Sequence, residues 1–184
     1  MNKEQIRTKV LKKRLKFSEK ELQKQNLEIA KNFFSLKEVS NANSFGIYVS
    51  FQNEVETRGI IERLLKFHKK VCVPITDFKN KEMHFSELNN ISDLHENSFG
   101  MFEPADSKKV DSEKIDVFVV PGIAFDKKGH RIGWGKGFYD KFFGANKTKG
   151  KKIGLAFDFQ IVEKIPFEQF DVKMDLIVTE KRIR

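Results

Sequence analysis

The 184-residue chain has one cysteine, one tryptophan and four histidines, and nowhere does it run apolar for the length of a membrane span. Each scarcity removes a class of protein. Cys72, alone in the apolar run KVCVP, excludes a disulfide framework and a thiolate cluster for structural zinc, and reads as a buried inert thiol. The start, MNKEQIRTKVLKKRLKF, is basic but lacks the continuous apolar core of a secretory signal. With no spanning segment either, the chain is expected to be soluble and cytoplasmic, without a membrane partner. His68, His84, His95 and His130 share no metal-ligand spacing. His130 alone falls in a glycine-rich stretch, where it reads as a solvated turn residue whose protonated ring would add charge for a phosphate. No internal repeat is present.

Positive charge, by contrast, is plentiful: 35 Lys and Arg against 26 Asp and Glu give a formal net charge of +9. The lysines are scattered, not blocked, which favours solvated faces with a few basic residues recruited for phosphate over a nucleic-acid surface. The length fits one domain, residues 1–184, able to bury a continuous core.

Periodicity organises the chain as α/β. A short basic helix is followed by FSEKELQKQNLEIAKNFFSL, in which Ser18 and Glu21 stand in capping-box spacing and Leu22, Ile29, Ala30 and Phe33 share one helical face. SFGIYVS reads as a buried strand, ETRGIIERLLKFH as a helix and KKVCVP as the next strand. Three further apolar strands are expected at KIDVFVVPG, KKIGLAF and MDLIVTE, with helices at GFYDKFFG and QIVEKI between them. The polar middle, residues 77–111, reads as loops with a short edge strand near MHF. Such alternation predicts a three-layer, mostly parallel sheet flanked by helices, Rossmann-like.

The chemistry concentrates in PGIAFDKKGHRIGWGKGFYDKF. A glycine-rich turn leading from a strand into a helix presents free backbone N–H groups to an anion. It is not a P-loop: five residues, not four, separate Gly129 from the Gly135–Lys136 pair, and Gly137 stands where Ser or Thr would hold magnesium. Nor is it a dinucleotide fingerprint, because Phe138 occupies the last glycine position. Arg131 and Lys136 supply phosphate-neutralising charge, and Asp140, one helical turn past Lys136, is a candidate ligand for a hard cation such as magnesium. The plainer reading is a solvated turn with Lys136 and Asp140 as a weak surface pair. Phe138, Tyr139, Phe142 and Phe143 read as core, and Trp134 as a residue near a ligand.

Residues 119–143, VVPGIAFDKKGHRIGWGKGFYDKFF, together with KEQIR, SFQNEVET, FGMFEP and PFEQFDVKMDLIVTE, resemble the 5-formyltetrahydrofolate cyclo-ligase family over nearly the whole chain. The resemblance implies a fold similar to the sugar-phosphate isomerase and CoA-transferase type. It also implies an ATP- and Mg2+-dependent ligase of one-carbon metabolism that turns 5-formyltetrahydrofolate into 5,10-methenyltetrahydrofolate, releasing ADP and phosphate. Carried over by position, Lys3 and Arg7 resemble nucleotide contacts, and Arg131, Ile132, Gly133, Trp134, Gly135, Lys136, Gly137, Phe138 and Tyr139 a phosphate-binding loop in which Arg131 and Lys136 are catalytic. Val49, Glu54, Trp134 and Phe138 resemble folate contacts, and Asp140 and Asp175 the magnesium ligands. Glu56 remains a helix-start carboxylate. Phe138 stands where the family usually carries the first of two tyrosines. A monomer with no nucleic-acid partner is expected. The alternative is a non-catalytic protein that holds nucleotide, folate or RNA with the same basic loop; it predicts steep salt dependence and no ATP turnover.

Overall fold

The computed structural model covers residues 1–184 and describes all of them except Asn53, Asp106 and Ser107. Asn53 belongs to the QNEVET motif and the other two to the polar middle, so those positions lie outside the described residues. In chain order the helices are α1 (Lys3–Arg14), α2 (Glu19–Phe34), α3 (Lys37–Asn41), α4 (Arg58–Lys66) and α5 (Phe138–Ala145). The strands are β1 (Ser44–Ile47), β2 (Lys70–Asp77), β3 (Glu82–Leu88), β4 (Leu94–Glu96), β5 (Phe102–Pro104), β6 (Val117–Val120), β7 (Ala124–Asp126), β8 (Arg131–Ile132), β9 (Lys151–Leu155), β10 (Ile161–Val162) and β11 (Leu176–Val178).

Short, nearly continuous apolar runs, buried on both faces, build a sheet in the order β11-β9-β6-β1-β2-β3, parallel except for β3 at one edge. Phe45, Ile47, Val71, Val73, Val117, Val119, Ile153 and Leu155 share one core with Ile29 and Phe33 of α2, Val39 of α3 and Ile60, Ile61 and Leu64 of α4. Their neighbours of opposite parity, Cys72, Phe118 and Val120, share a second core with Phe85, Ile177 and the α5 residues Phe142 and Phe143. Each such side chain, fully buried, contributes about 1.5–3 kcal/mol. Burial also pushes the Cys72 thiol up to about 12, so it is inert. The Ser18–Glu21 capping box starts α2 as its spacing predicts.

Two readings of the sequence are corrected. The QIVEKI segment is not a helix: a 3-10 turn, Asp158–Gln160, leads into β10, which pairs with β7. The Gln160 side chain donates to the carbonyls of Gly122 and Ile123, both at 2.9 Å, anchoring this turn against the neighbouring strand. The edge strand near MHF is a seven-residue partner for β2, and β4 and β5 form a hairpin within the supposed loops.

Three features position the functional region. Sequential strands β1 and β2 run to one side of the sheet and β6 returns on the other, which makes a topological switch point between β1 and β6. After β6 the chain forms a small sheet, β10-β7-β8. Helix α1, started by an Asn2–Gln5 capping box, lays Ile6 and Val10 on that small sheet against Ile123, Ala124, Ile132 and Ile165.

Candidate functional site

A cavity of about 1070 Å³ opens where β1 and β6 end, with Tyr48 and Val49 following β1 and Pro121 following β6 in its wall. Ligand pockets run to about 1,000 Å³, so two co-substrates have room here. Further walls are the loop of residues 131–137, the first turns of α5, Lys3 and Arg7 of α1, Phe170 and Asp171 from the strap before β11, and, across the cavity, Glu54, Phe78 and Phe99.

One end of the cavity is built for an anion. Gly135 and Gly137 adopt φ of 97° and 72°, left-handed backbone that a side chain strains. Gly137 is the N-cap of α5 and offers no capping side chain, so the first-turn N–H groups and the positive end of the helix face outward. Lys136 is exposed and, among the described residues, makes no ion pair. Arg131 is nearly buried and places Nη2 2.8 Å from Oδ1 of Asp140, which also accepts the Val172 N–H at 3.1 Å. Arg7 donates from Nε to the Gly133 carbonyl at 3.1 Å, and Lys3 pairs with Asp171. Burial opposes ionisation of Asp171, but the hydrogen bonds from Lys3 and the Glu168 N–H and the Lys3 charge outweigh it and hold its carboxyl below the usual range.

The other end is aromatic. Trp134 donates from Nε1 to Oε1 of Glu54 at 3.1 Å, while the Phe51 N–H reaches Oε2 at 3.1 Å. Burial pushes the Glu54 carboxyl up, against the Trp134 and Phe51 bonds and the Arg14 charge. Burial and the negative charge of Glu54 also push the Tyr48 and Tyr139 phenols up, so both stay protonated. The Tyr48 hydroxyl donates to the Val55 carbonyl at 3.0 Å, but the buried Tyr139 hydroxyl has no partner among the described residues. Phe138 meets Phe78 edge to face at 5.3 Å, and Phe78 lies 4.1 Å from Phe99. Trp134 and Phe99 remain substantially exposed at the rim.

The structure thus brings Lys3, Arg7, Val49, Glu54, Arg131, Ile132, Gly133, Trp134, Gly135, Lys136, Gly137, Phe138, Tyr139 and Asp140 to a single cavity. It does not bring Asp175. That carboxylate stands before β11, where Oδ2 accepts the Lys152 N–H at 2.7 Å and Oδ1 lies 3.7 Å from Lys151. A residue leading into a parallel strand sits at the amino end of the sheet, opposite the ligand end. The aspartate that lines the cavity beside Asp140 is Asp171, four residues earlier and adjoining the Asp140-bound Val172. The strand in MDLIVTE already assigns Asp175 to the wrong end of the sheet, but no local signal in the sequence marks Asp171. Asp140 pairs with Arg131 and not with Lys136. His130 is not solvated: it is 3% exposed, with Nδ1 2.9 Å from Asp126 and its ring stacked on Phe167. Asp126, likewise buried, also accepts the N–H groups of Lys128, His130 and Ile165, so the pair fixes the turn behind the loop. Phe142 and Phe143 are core, whereas Phe138 and Tyr139 serve both core and cavity. Glu56 accepts the N–H groups of Arg58 and Gly59 at the start of α4, as a helix-start carboxylate should.

An open, mostly parallel α/β sheet with a cationic glycine loop and a cavity at its switch point defines a protein of the doubly wound class whose cavity suits an anionic ligand. Residues 1–180 match the model of the 5-formyltetrahydrofolate cyclo-ligase family, and the chain belongs to that family. It is 30% identical over 180 residues to the 5-formyltetrahydrofolate cyclo-ligase of Haemophilus influenzae, covering 95% of this chain and 96% of the relative. The mouse enzyme of the same name is 30% identical over 182 residues, covering 92% and 90%. Among solved structures, the 5,10-methenyltetrahydrofolate synthetase of Aquifex aeolicus superposes with a TM-score of 0.87 at 33% identity, covering all of this chain and 92% of that one. The Mycoplasma pneumoniae synthetase, 24% identical with a TM-score of 0.79 and coverages of 98% and 99%, shares the fold.

Proposed function

We propose that this protein converts 5-formyltetrahydrofolate and ATP into 5,10-methenyltetrahydrofolate, ADP and phosphate. The observation that carries this reading is the union, in one cavity, of a free-amide cationic loop and an aromatic compartment whose carboxylate, Glu54, is hydrogen-bonded by Trp134. The formyl oxygen attacks the γ-phosphorus and ADP departs. The anilino nitrogen then adds to the activated carbon, and the original formyl oxygen leaves within inorganic phosphate. Positioning and charge neutralisation carry most of such a transfer. Lys136, Arg131, Lys3, Arg7 and the first-turn amides of α5 receive the phosphates, and no side-chain nucleophile is required. Glu54 accepts from the N–H edge of the pterin, with Val49, Trp134 and Phe138 packing around the ring system.

Asp140 and Asp171 are the residues that would hold magnesium. Among the described residues no group of three or more His, Cys, Asp or Glu is arranged to hold a metal ion by itself. Two hard oxygen donors beside the phosphate loop nevertheless suit an ion that keeps several waters and shares its shell with phosphates. When bound, it would neutralise charge on the transferred phosphoryl group.

No helix among the described residues is long and apolar enough to cross a membrane. We read the enzyme as a cytoplasmic monomer without a nucleic-acid partner. The test is growth of methenyl-product absorbance with purified protein, 5-formyltetrahydrofolate, ATP and magnesium, and with each omitted in turn. Growth requiring all four components is expected. No growth from folded protein that still binds ATP would overturn the assignment and favour the binding-only alternative.

A further inference from the structure

Phe170 is the most exposed aromatic side chain among the described residues, at 68%, and it stands in the cavity wall. Every other strongly exposed ring has a partner: Phe67 lies under the Arg63 guanidinium, Phe99 meets Phe78, Phe167 covers His130 and Trp134 donates to Glu54. Phe170 makes no ring or cation contact among the described residues and packs against none of the three cores. A lone exposed phenylalanine on an open surface is ordinary. One held firmly inside a ligand cavity is not. The Asp171 N–H donates to the Glu168 carbonyl at 3.0 Å while Asp171 Oδ2 accepts the Glu168 N–H at 2.8 Å, closing a turn with Phe170 at its third position. Lys3 pairs with both carboxylates of this turn, and the next residue, Val172, donates to Asp140. The turn is thus fastened to the anion end of the cavity, and Phe170 is fixed beside the groups that receive phosphate.

Phosphoryl transfer sets which end of the cavity the nucleoside takes. The attacking and leaving oxygens lie roughly in line across the γ-phosphorus, so ADP extends away from the folate. The folate compartment around Glu54 and Trp134 is the opposite end from the Lys3-bound turn. We infer that Phe170 is the platform on which the purine of ATP stacks, with the ribose and phosphates running past Lys3 and Arg7 to the glycine loop. The inference rests on the nucleotide role proposed for that loop and adds a base subsite to it. A phenyl face carries no donor or acceptor pattern, so recognition there follows stacking area and favours purines over pyrimidines.

The experiment is calorimetric titration without folate, so that no turnover enters, using magnesium-ATP, magnesium-CTP and magnesium tripolyphosphate, which has the phosphates but no base. Phe170→Ala should weaken ATP binding about tenfold, CTP binding less, and tripolyphosphate binding not at all. Phe170→Leu keeps apolar bulk without a π-face and should lose nearly as much, whereas Phe170→Trp should bind ATP as tightly as wild type or more so. The thermal midpoint should not move in any of them, because the ring is in solvent. Trp134 is the sole tryptophan, so in the Trp134→Phe/Phe170→Trp variant the only indole stands at position 170. Its fluorescence should be quenched by ATP and not by tripolyphosphate. Unchanged ATP affinity in Phe170→Ala, full retention in Phe170→Leu, or equal losses for ATP and tripolyphosphate would overturn the inference, the last by making Phe170 a prop for the strap. Wild-type protein that binds neither ATP nor tripolyphosphate would instead overturn the nucleotide site beneath it.

Discussion

Replacing Asp171 and Asp175 separately by Asn tests which end of the sheet does the chemistry. Asp175 and Lys151 are 37% and 56% exposed, and the 3.7 Å pair between them is worth no more than about 1 kcal/mol in water. Asn retains an acceptor for the Lys152 N–H, so Asp175→Asn is expected to move the thermal midpoint by no more than about 2–4 °C and leave turnover intact. Asp171 is different: its side chain is 14% exposed, it pairs with Lys3, and it accepts the Glu168 N–H at 2.8 Å. Asn can keep the last contact but not the charge that Lys3 and a divalent cation require. Asp171→Asn should therefore lower kcat/KM for magnesium-ATP by about 100-fold, or about 2.7 kcal/mol, and raise the magnesium concentration needed for half-maximal rate. Folate affinity should stay unchanged. Steady-state formation of the methenyl product across a magnesium titration reads both variants. A large loss in Asp175→Asn, or a loss under threefold in Asp171→Asn, would refute the placement.

Lys136 is exposed and unpaired among the described residues, so Lys136→Ala should abolish turnover while leaving the circular-dichroism melt unchanged; near-normal activity would remove its assigned role. Trp134→Phe deletes the 3.1 Å bond to the Glu54 carboxylate and should raise KM for the folate about tenfold, consistent with the worth of a hydrogen bond to a charged group, with KM for ATP unaffected. Asp126 bears on acid stability. Burial favours its neutral form, but the hydrogen bonds from the His130 ring and from the Ile165, Lys128 and His130 N–H groups prevail and hold its carboxyl below the ordinary range. Its contribution is thus present above the unfolded value of about 3.9 and is lost as pH falls through the lower folded value. Urea unfolding should show stability declining below about pH 4 and a shallower decline in Asp126→Asn; equal slopes would refute the reasoning.

The strands and most helices were legible because period and capping are local. Short apolar runs mark β1, β2 and β6, and Ser18 with Glu21 marks the start of α2. The QIVEKI segment misled because a short apolar run carries no decisive period, and its pairing with β7 is made across 36 residues, from Ile161 to Phe125. Four histidines without metal spacing gave no hint that His130 is locked to Asp126 beneath Phe167. In the candidate site, the glycines, Arg131, Lys136 and Asp140 announced themselves through composition within one short loop. Lys3, Arg7 and Glu54 gave no local signal and were indicated only by the family resemblance.

By itself, then, the sequence determined an α/β chain with a cationic, glycine-rich turn poised before a helix. Those properties follow from side-chain period and backbone freedom within a few residues. Tertiary structure decided which distant charges share the cavity: Lys3 beside Asp171 and Arg131 beside Asp140, with Asp175 left at the opposite end of the sheet. The direction of each parallel strand fixes which end of the sheet its neighbouring residues occupy, and electrostatic interaction depends on distance in space instead of separation along the chain.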